Sequence, residues 1–443
     1  MDTFFKILIF KITDFTQNTD IYKWYEFVRQ SQFWSKAEIE AYQNERLQRL
    51  IRHAYGNSPF YNKAFESLKL KPNDIKSIED LHKLPVIRRE DISKNFGDLL
   101  ALNYKLFSPQ FRSTGGTTGK PLKYVSDLDS WSLGWALKFR SWEWAGYKFG
   151  DKVGLFGGAS LIPNQHFNLN RFLWNKINRF YPFSVTHVDA AILDKYINSI
   201  YKNNIKIIRG YPSSINYFAK YCLENSISID LKTVITTAEV LTTEYRENIE
   251  RAFNCKVFNT YGCADAGGNI SECKAHRLHI SPEPSILELS SYQEIDSQIK
   301  AQEMVFTNIS NYAMPIIRYA PGDLVITDNS TCSCGVNSRL VSEIIGRKTD
   351  ILEFRNGRVL GGPALTLIFR KFNLENYQII QNNLSEIDIN IKPNNNYRSY
   401  EDEEIISIMR YHVGQDVTIK LNHTKEFILP KSGKHCFIIK KVN

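Results

Sequence analysis

The sequence lacks any uninterrupted apolar run approaching the about 20 residues that a membrane-crossing helix needs, so no transmembrane segment is expected. Its start, MDTFFKILIFKITDF, is broken by Lys6, Lys11 and Asp14 and is followed by no small-residue cleavage site, unlike an export signal. Phe4, Phe5, Leu8 and Ile12 instead share one helical face, suited to packing on the protein's own surface or to resting on a membrane. Cysteine is scarce and odd in number, seven in all, which argues against a disulfide scaffold and for a reducing, cytoplasmic setting. No repeat of about 20–50 residues and no low-complexity tract occurs, which excludes solenoids and extended linkers. Lys and Arg outnumber Asp and Glu by 56 to 47, yet they form no tail or long run, and no RNA-binding module or helix-turn-helix spacing is present. Nucleic acid is therefore not an expected partner. The net charge of +9 suits small anions such as nucleotides, acidic glycans or a membrane surface, or simply a solvated basic exterior.

What is present is the composition of a folded protein, 43% apolar and 23% charged over 443 residues. That length implies one large domain plus a smaller one. Ser35 followed by Glu38 has the capping-box spacing, and Leu47, Leu50, Ile51 and Ala54 continue at helical period until Gly56 and Pro59. In LHKLPVIRREDISKNF, a turn at Pro85 precedes a helix starting near Arg89 to Asp91. From about residue 100 to 345, short apolar runs (KVGLFG, IKIIRGYP, LKTVITTAE, KVFNTYG, EMVFTNIS) alternate with helical stretches, predicting an α/β fold with largely parallel sheets. After GRKTDIL, the runs EIDINIK, VTIKLN and CFIIKK predict a separate small α+β domain.

The sharpest local signal is Ser113-Thr114-Gly115-Gly116-Thr117-Thr118-Gly119-Lys120-Pro121. Packed glycines let backbone N–H groups approach phosphate oxygens, hydroxyls add donors, and the lysine adds charge. A Walker A loop would need glycine and Ser or Thr where Thr114 and Pro121 stand, so a P-loop NTPase is disfavoured.

This loop resembles the phosphate loop of the adenylate-forming enzymes, and YQNERLQRLIRHAYGNSPFY with KLPVIRRED resembles the entry of their phenylacetate CoA ligase and capsule-biosynthesis branch. The resemblance runs through most of the chain. It implies an α/β fold: a large N-terminal adenylate-forming domain (1–346) with mixed or parallel sheets, and a small mobile α+β C-terminal domain (347–443) hinged near Asp350. It also implies ATP, magnesium, a carboxylic acid and an acceptor, either CoA or the amine of a sugar or amino acid. Thr236 to Leu241, with Ala238 and Glu239, resembles the adenine-pocket segment. Tyr261-Gly262-Cys263-Ala264-Asp265 resembles the aromatic-Gly-x-Thr-Glu motif, so Tyr261 would stack on adenine and Asp265 would hold magnesium. In Arg318 to Asp323, Asp323 would bind the ribose hydroxyls; Arg347, in Gly346 to Asp350, would contact the nucleotide. Pro430-Lys431-Ser432-Gly433-Lys434 resembles the loop that carries the catalytic lysine, Lys434, with Thr117 and Asp265 as further catalytic groups. Two positions depart from the motif: its threonine is Ala264 here and its glutamate is Asp265. They leave a weakened ATP-binding partner open beside the two ligase readings. Relatives of this type often pair through the large domain, which implies a homodimer.

Cys273, His276 and His279 in ECKAHRLHI, with Cys332 and Cys334 in TCSCG, have the composition of a structural zinc site, the second member of LHI favouring His279 over His276. The relatives carry a similar set. Cys222, Cys255 and Cys436 read as core residues. GLFGGASLIPNQHFNLNRFLW and RGYPSSINYF supply aromatic and small residues for an acyl pocket without naming the acid.

Overall fold

The computed structural model describes residues 7, 11, 14–15, 17–114, 122–157, 169–185, 189–291, 293–296, 299–347, 351–356, 358–361, 365, 368–369, 371–429 and 435–441. The face of Phe4, Phe5, Leu8 and Ile12 lies outside them. Helices α1 (Ile21–Ser31), α2 (Lys36–Asn57) and α3 (Pro59–Ser67) open the fold. At α2 the capping box is formed: Glu38 N donates to Ser35 Oγ, and Ser35 N donates to Glu38 Oε2 at 2.8 Å. Leu47, Leu50, Ile51 and Ala54 are buried along its inner face. Pro59 does more than stop this helix. It occupies the first turn of α3, where a missing N–H costs nothing. Helices α4 (Arg89–Lys94) and α5 (Phe96–Leu99) follow the Pro85 turn.

Next comes an antiparallel hairpin of β1 (Gln110–Ser113) and β2 (Lys123–Ser126), then α6 (Leu128–Trp144), capped by Asp127. Five strands alternate with helices after that: β3 (Val153–Gly157), α7 (Leu169–Asn178), β4 (Phe180–Ser184), α8 (Ala190–Asn203), β5 (Ile207–Gly210), α9 (Pro212–Glu224), β6 (Thr233–Thr237), α10 (Thr243–Phe253) and β7 (Lys256–Cys263). They run parallel in the order 4-3-5-6-7. Strand alternation sends Ile207 and Ile235 toward α1 and α6, and Ile208 and Val234 toward α8, α9 and α10, so both faces are covered. A Cβ at Gly210 would collide with the Phe156 carbonyl oxygen, which is why the end of β5 is glycine.

Beyond β7 the expectation of parallel strands fails. The strands β8 (Gly268–Glu272), β9 (Leu278–Ile280), β10 (Ser285–Leu289), β11 (Gln293–Asp296), β12 (Ile299–Asn308), β13 (Asp323–Asp328) and β14 (Leu340–Arg347) pair antiparallel with their neighbours. Several of the successive strands, such as β7–β8 and β8–β9, are joined by short returns that force the antiparallel sense. All twelve strands from β3 to β14 join one mixed sheet.

The C-terminal part holds a short pair, β15 (Ile351–Glu353) with β16 (Val359–Gly361), and a four-stranded sheet with one helix: β17 (Leu374–Asn383), β18 (Glu386–Pro393), α11 (Tyr400–Val413), β19 (Thr418–His423) and β20 (Ile438–Lys440), in the order 19-18-17-20. Ile379, Ile387, Ile389 and Ile391 bury against Ile405, Met409 and Val413 in a core separate from those of the large sheet. Asp350, the expected hinge, lies outside the described residues.

Candidate nucleotide and metal sites

Ligands of open α/β sheets bind outside the carboxyl ends of parallel strands, and the motif residues at the ends of β6 and β7 lie at that edge. The β1–β2 hairpin frames the phosphate-loop motif. Ser113 pairs with Lys123, Thr114 N donates to Leu122 O at 2.9 Å, and Leu122 N donates to Thr114 Oγ1 at 3.1 Å. Asn311 holds the hairpin on the core, donating to Val125 O and accepting from Asp127 N. Gly115, Gly116, Thr117, Thr118, Gly119 and Lys120 lie outside the described residues.

At the end of β6, Ala238 has φ +70°, a left-handed conformation that costs a non-glycine residue about 1 kcal/mol and collects at functional sites. Glu239 follows directly. On the neighbouring β7, Tyr261 Oη donates to Asp323 Oδ2 at 2.6 Å, so two residues 62 apart in sequence are joined. Asp323 is buried at the start of β13, across from the backbone of Arg347 at the end of β14; the Arg347 side chain lies outside the described residues. Gly262 is exposed in β7, and Ala264 is exposed in the turn after it. Asp265 is buried there and accepts from Cys263 Sγ at 3.1 Å. Burial first, and then the Asp265 carboxylate, push the Tyr124 phenol of β2 up to about 12, which puts Asp265 beside the hairpin that bears the loop.

The C-terminal part reaches this same edge. Glu239 Oε1 accepts from the backbone N–H of His435 at 2.8 Å, while its Oε2 accepts from Ser213 N at 3.1 Å at the start of α9. Lys434 itself lies outside the described residues, one peptide bond from that anchor. A second bridge is ionic: Lys220 of α9 pairs with Glu375 of β17 and, at 3.7 Å, with Glu244, and Glu375 also meets Lys392 at 3.1 Å. Lys220, Glu244 and Glu375 belong to no motif, and only the three-dimensional contact reveals them.

Cys273, His279, Cys332 and Cys334 come together with all four ligand atoms within 4.8 Å of one another. Cys273 Sγ is 3.6 Å from Cys332 Sγ, and Cys334 Sγ is 3.3 Å from His279 Nε2. Tetrahedral zinc with Zn–S of about 2.3 Å requires sulfur–sulfur separations of about 3.8 Å, so the donors fit that ion. Ala275 N and Val336 N each donate to a thiol at 3.4 Å, and His279 Nδ1 lies 3.3 Å from Ser338 Oγ, which fixes the ring. Burial depresses His279 to about 4, leaving the neutral imidazole that a metal needs. His276 is turned away, stacked on Phe258 and bonded to Glu272. Cys222 and Cys436 are buried and Cys255 half-buried.

Known proteins resemble the chain over most of its length. Residues 355–441 match the CapK C-terminal domain family. Protein CapK of Staphylococcus aureus is 25% identical over 409 residues, covering 90% of this chain and 89% of that protein. The phenylacetate-coenzyme A ligase of Aromatoleum evansii is 29% identical over 345 residues, covering 72% and 73%. Among solved structures, 2-hydroxyisobutyryl-CoA ligase in its postadenylation state superposes with TM-score 0.70 at 16% identity over 93% of this chain and 91% of that one. The same ligase in its thioesterification state reaches 0.58 at 17% identity, with the same coverage. No helix among the described residues is long and apolar enough to cross a membrane. With its mixed sheet and separate C-terminal sheet, the chain shares the fold of 2-hydroxyisobutyryl-CoA ligase, is similar over most of its length to CapK and the phenylacetate-coenzyme A ligases, and carries in residues 355–441 a match to the CapK C-terminal domain family.

Proposed function

We propose that the protein activates a carboxylic acid with ATP, releasing pyrophosphate and forming an acyl adenylate, and then transfers the acyl group to CoA. The observation that supports this reading is the hydrogen bond from the His435 N–H to Glu239, which ties the residue after Lys434 to the end of β6. A higher TM-score against the postadenylation than the thioesterification state of 2-hydroxyisobutyryl-CoA ligase supports the same orientation.

In the reaction, an oxygen of the acid's carboxylate attacks the α-phosphorus of ATP and pyrophosphate leaves. Tyr261 and Asp323, already locked together, orient adenine and ribose, with Arg347 on the nucleotide. The loop amides between Ser113 and Lys120, with the Thr117 and Thr118 hydroxyls, hold phosphate oxygens, and Lys434 neutralises the developing charge. Such transfers rest on positioning and charge more than on covalent work by the protein. Magnesium, for which Asp265 is the acidic residue at hand, supplies charge neutralisation on the phosphates when bound. Incubation with ATP, magnesium and a panel of acids is expected to release AMP that depends on both acid and CoA. No AMP with any acid and acceptor would overturn the reading. AMP release that needs a sugar or amino acid amine in place of CoA would assign the acceptor to surface-polysaccharide chemistry, which the 25% identity to CapK supports as a second reading.

The ionic bridge makes a separable prediction. Lys220→Ala removes the contact with Glu375 and should slow adenylate formation about fivefold, the equivalent of ~1 kcal/mol, while acyl transfer from supplied acyl adenylate stays unchanged. Equal loss in both half-reactions would contradict an adenylation-specific latch.

We also propose that Cys273, His279, Cys332 and Cys334 hold one structural zinc, stapling the turn before β9 to the loop before β14. Protein purified without chelator is expected to carry one zinc per chain. Cys334→Ser should lose it and lower Tm, by about 2–4 °C per kcal/mol lost. A full-length protein free of zinc, with an unaltered Tm on chelation, would refute the assignment.

A further inference from the structure

One helical stripe of α6 carries Trp131, Trp135, Lys138 and Trp142, at spacings that keep all four on one face. Three cations lie over those rings. Arg112 of β1 stands 5.6 Å from the Trp131 ring centroid, Lys138 stands 4.3 Å from Trp135, and Arg209 of β5 stands 5.6 Å from Trp142. Arg209 shares the face of Ile207 that looks toward α6, and Trp174 closes in at 5.1 Å from Trp135. The Nε atoms of Arg112 and Arg209 are buried without a hydrogen-bond partner among the described residues. No ion pair to Arg112, Lys138 or Arg209 occurs there either. Three cations held on aromatic walls, with no carboxylate paired to them among the described residues, have the chemistry of an anion site.

Its position decides which anion. Arg112 precedes Ser113 and Thr114 at the mouth of the phosphate loop, and Arg209 precedes Gly210, Tyr211 and Pro212 at the carboxyl end of β5. The cluster therefore lies beside the place where the acid must meet ATP, one strand further along the sheet from β6. We propose that Arg112, Lys138 and Arg209 are specificity-determining residues that select an acid bearing a second anionic group, a carboxylate or a phosphate or sulfate ester, on an apolar spacer lying against the tryptophans. This rests on the adenylation reading for the reacting carboxylate, but the anion site stands on its own contacts.

The electrostatics agree with the geometry. Burial, followed by Arg209 and Arg112, depresses the Lys138 ammonium to about 7, and burial lowers Arg209 to about 10. The charged or titratable groups facing these side chains are each other and the phenols of Tyr124 and Tyr211. An incoming anion favours the protonated lysine, so its binding above pH 7 should take up a proton.

The test is tryptophan fluorescence of the full chain without nucleotide, titrated with dicarboxylates from malonate to suberate, with terephthalate and with phosphoglycolate. Each is paired with the monoanion of matching skeleton, from acetate-type acids to benzoate and glycolate. At least one dianion is expected to bind about tenfold more tightly than its partner. Lys138→Met with Arg209→Met should abolish that preference, and Lys138→Gln alone should weaken it if the double variant does not fold. The carboxylate and phosphate arms identify the anion. Equal binding of dianions and monoanions, a preference that survives the substitutions, or no binding by any dianion would overturn the proposal. Dianion binding without acid-dependent pyrophosphate exchange would leave the anion site standing and remove the adenylation reading, whereas exchange with monoacids alone would do the reverse.

Discussion

Lys434→Ala is expected to lower adenylate formation by about 10²–10³-fold, the loss found when a single preorganised stabiliser of transition-state charge is removed. The physical ground is the anchoring of its neighbour. The His435 N–H is held by Glu239, and the His435 ring is buried with Nε2 2.9 Å from Tyr377 O, so His435 is fixed from both the large sheet and the C-terminal sheet. Burial keeps that imidazole neutral, down to about 4, and the hold does not change across physiological pH. Lys431→Ala, in the same loop, should change the rate only a few-fold. Transfer from supplied acyl adenylate should survive Lys434→Ala, because the lysine is proposed to act on the charge that develops during pyrophosphate release, a step already past. A variant with an unchanged rate of adenylate formation would remove Lys434 from the mechanism.

Glu283→Ala is expected to have the largest effect on stability, about 3–5 kcal/mol, because it strands a buried guanidinium. Arg140 and Glu283 are 3% and 0% exposed and form an ion pair, with Ser31 Oγ donating to Glu283 at 2.6 Å and Arg140 donating to Val28 O and Ser281 Oγ. Helix α1, helix α6 and the connection between β9 and β10 thus meet on one carboxylate. Replacing both partners, Arg140→Met with Glu283→Leu, should recover much of the loss, since apolar pairs of similar volume often match buried ion pairs. Denaturant midpoints of the single and double variants measure this. A single-variant cost below about 1 kcal/mol would mean that water reaches Arg140 and replaces the partner.

Local signals were readable from the sequence wherever short-range physics decides. The Ser35–Glu38 box, the period of Leu47 to Ala54, and the alternation in β18 each depend on neighbours within a turn or a strand. Motif order singles out Tyr261, Asp323, Ala238 and Glu239, but no single spacing could say that Tyr261 and Asp323 bond directly. Sheet direction after β7 was misjudged because an apolar run such as EMVFTNIS reads alike in parallel and antiparallel pairing; only the length of the connections distinguishes them. The longest-range features gave the least warning. Arg140–Glu283, Lys220–Glu375 and Glu239–His435 join residues 143, 155 and 196 positions apart, through side chains that look like ordinary surface charges in a linear reading. Arg209 did leave a trace, a charge inside the apolar strand run IKIIRGYP, and Lys138 another, a charge on a tryptophan stripe. Both traces have meaning only once β5 is placed against α6.

Ala264 and Asp265 concentrate the remaining chemistry in one turn. Ala264 lacks the hydroxyl of the family's threonine, and the Asp265 carboxylate is buried against Cys263 and close to Tyr124. On the proposed mechanism the shorter acid would serve magnesium, and the missing hydroxyl would put more of the phosphate binding on the loop and Lys434. The measurement that bears most directly on adenylation is acid-dependent exchange of labelled pyrophosphate into ATP with magnesium, run over monoacids and diacids alike. Exchange driven by at least one acid is the expected result and would begin to name the substrate. Measurable ATP binding with no exchange on any acid would contradict adenylation and make the protein a nucleotide-binding partner on a ligase fold.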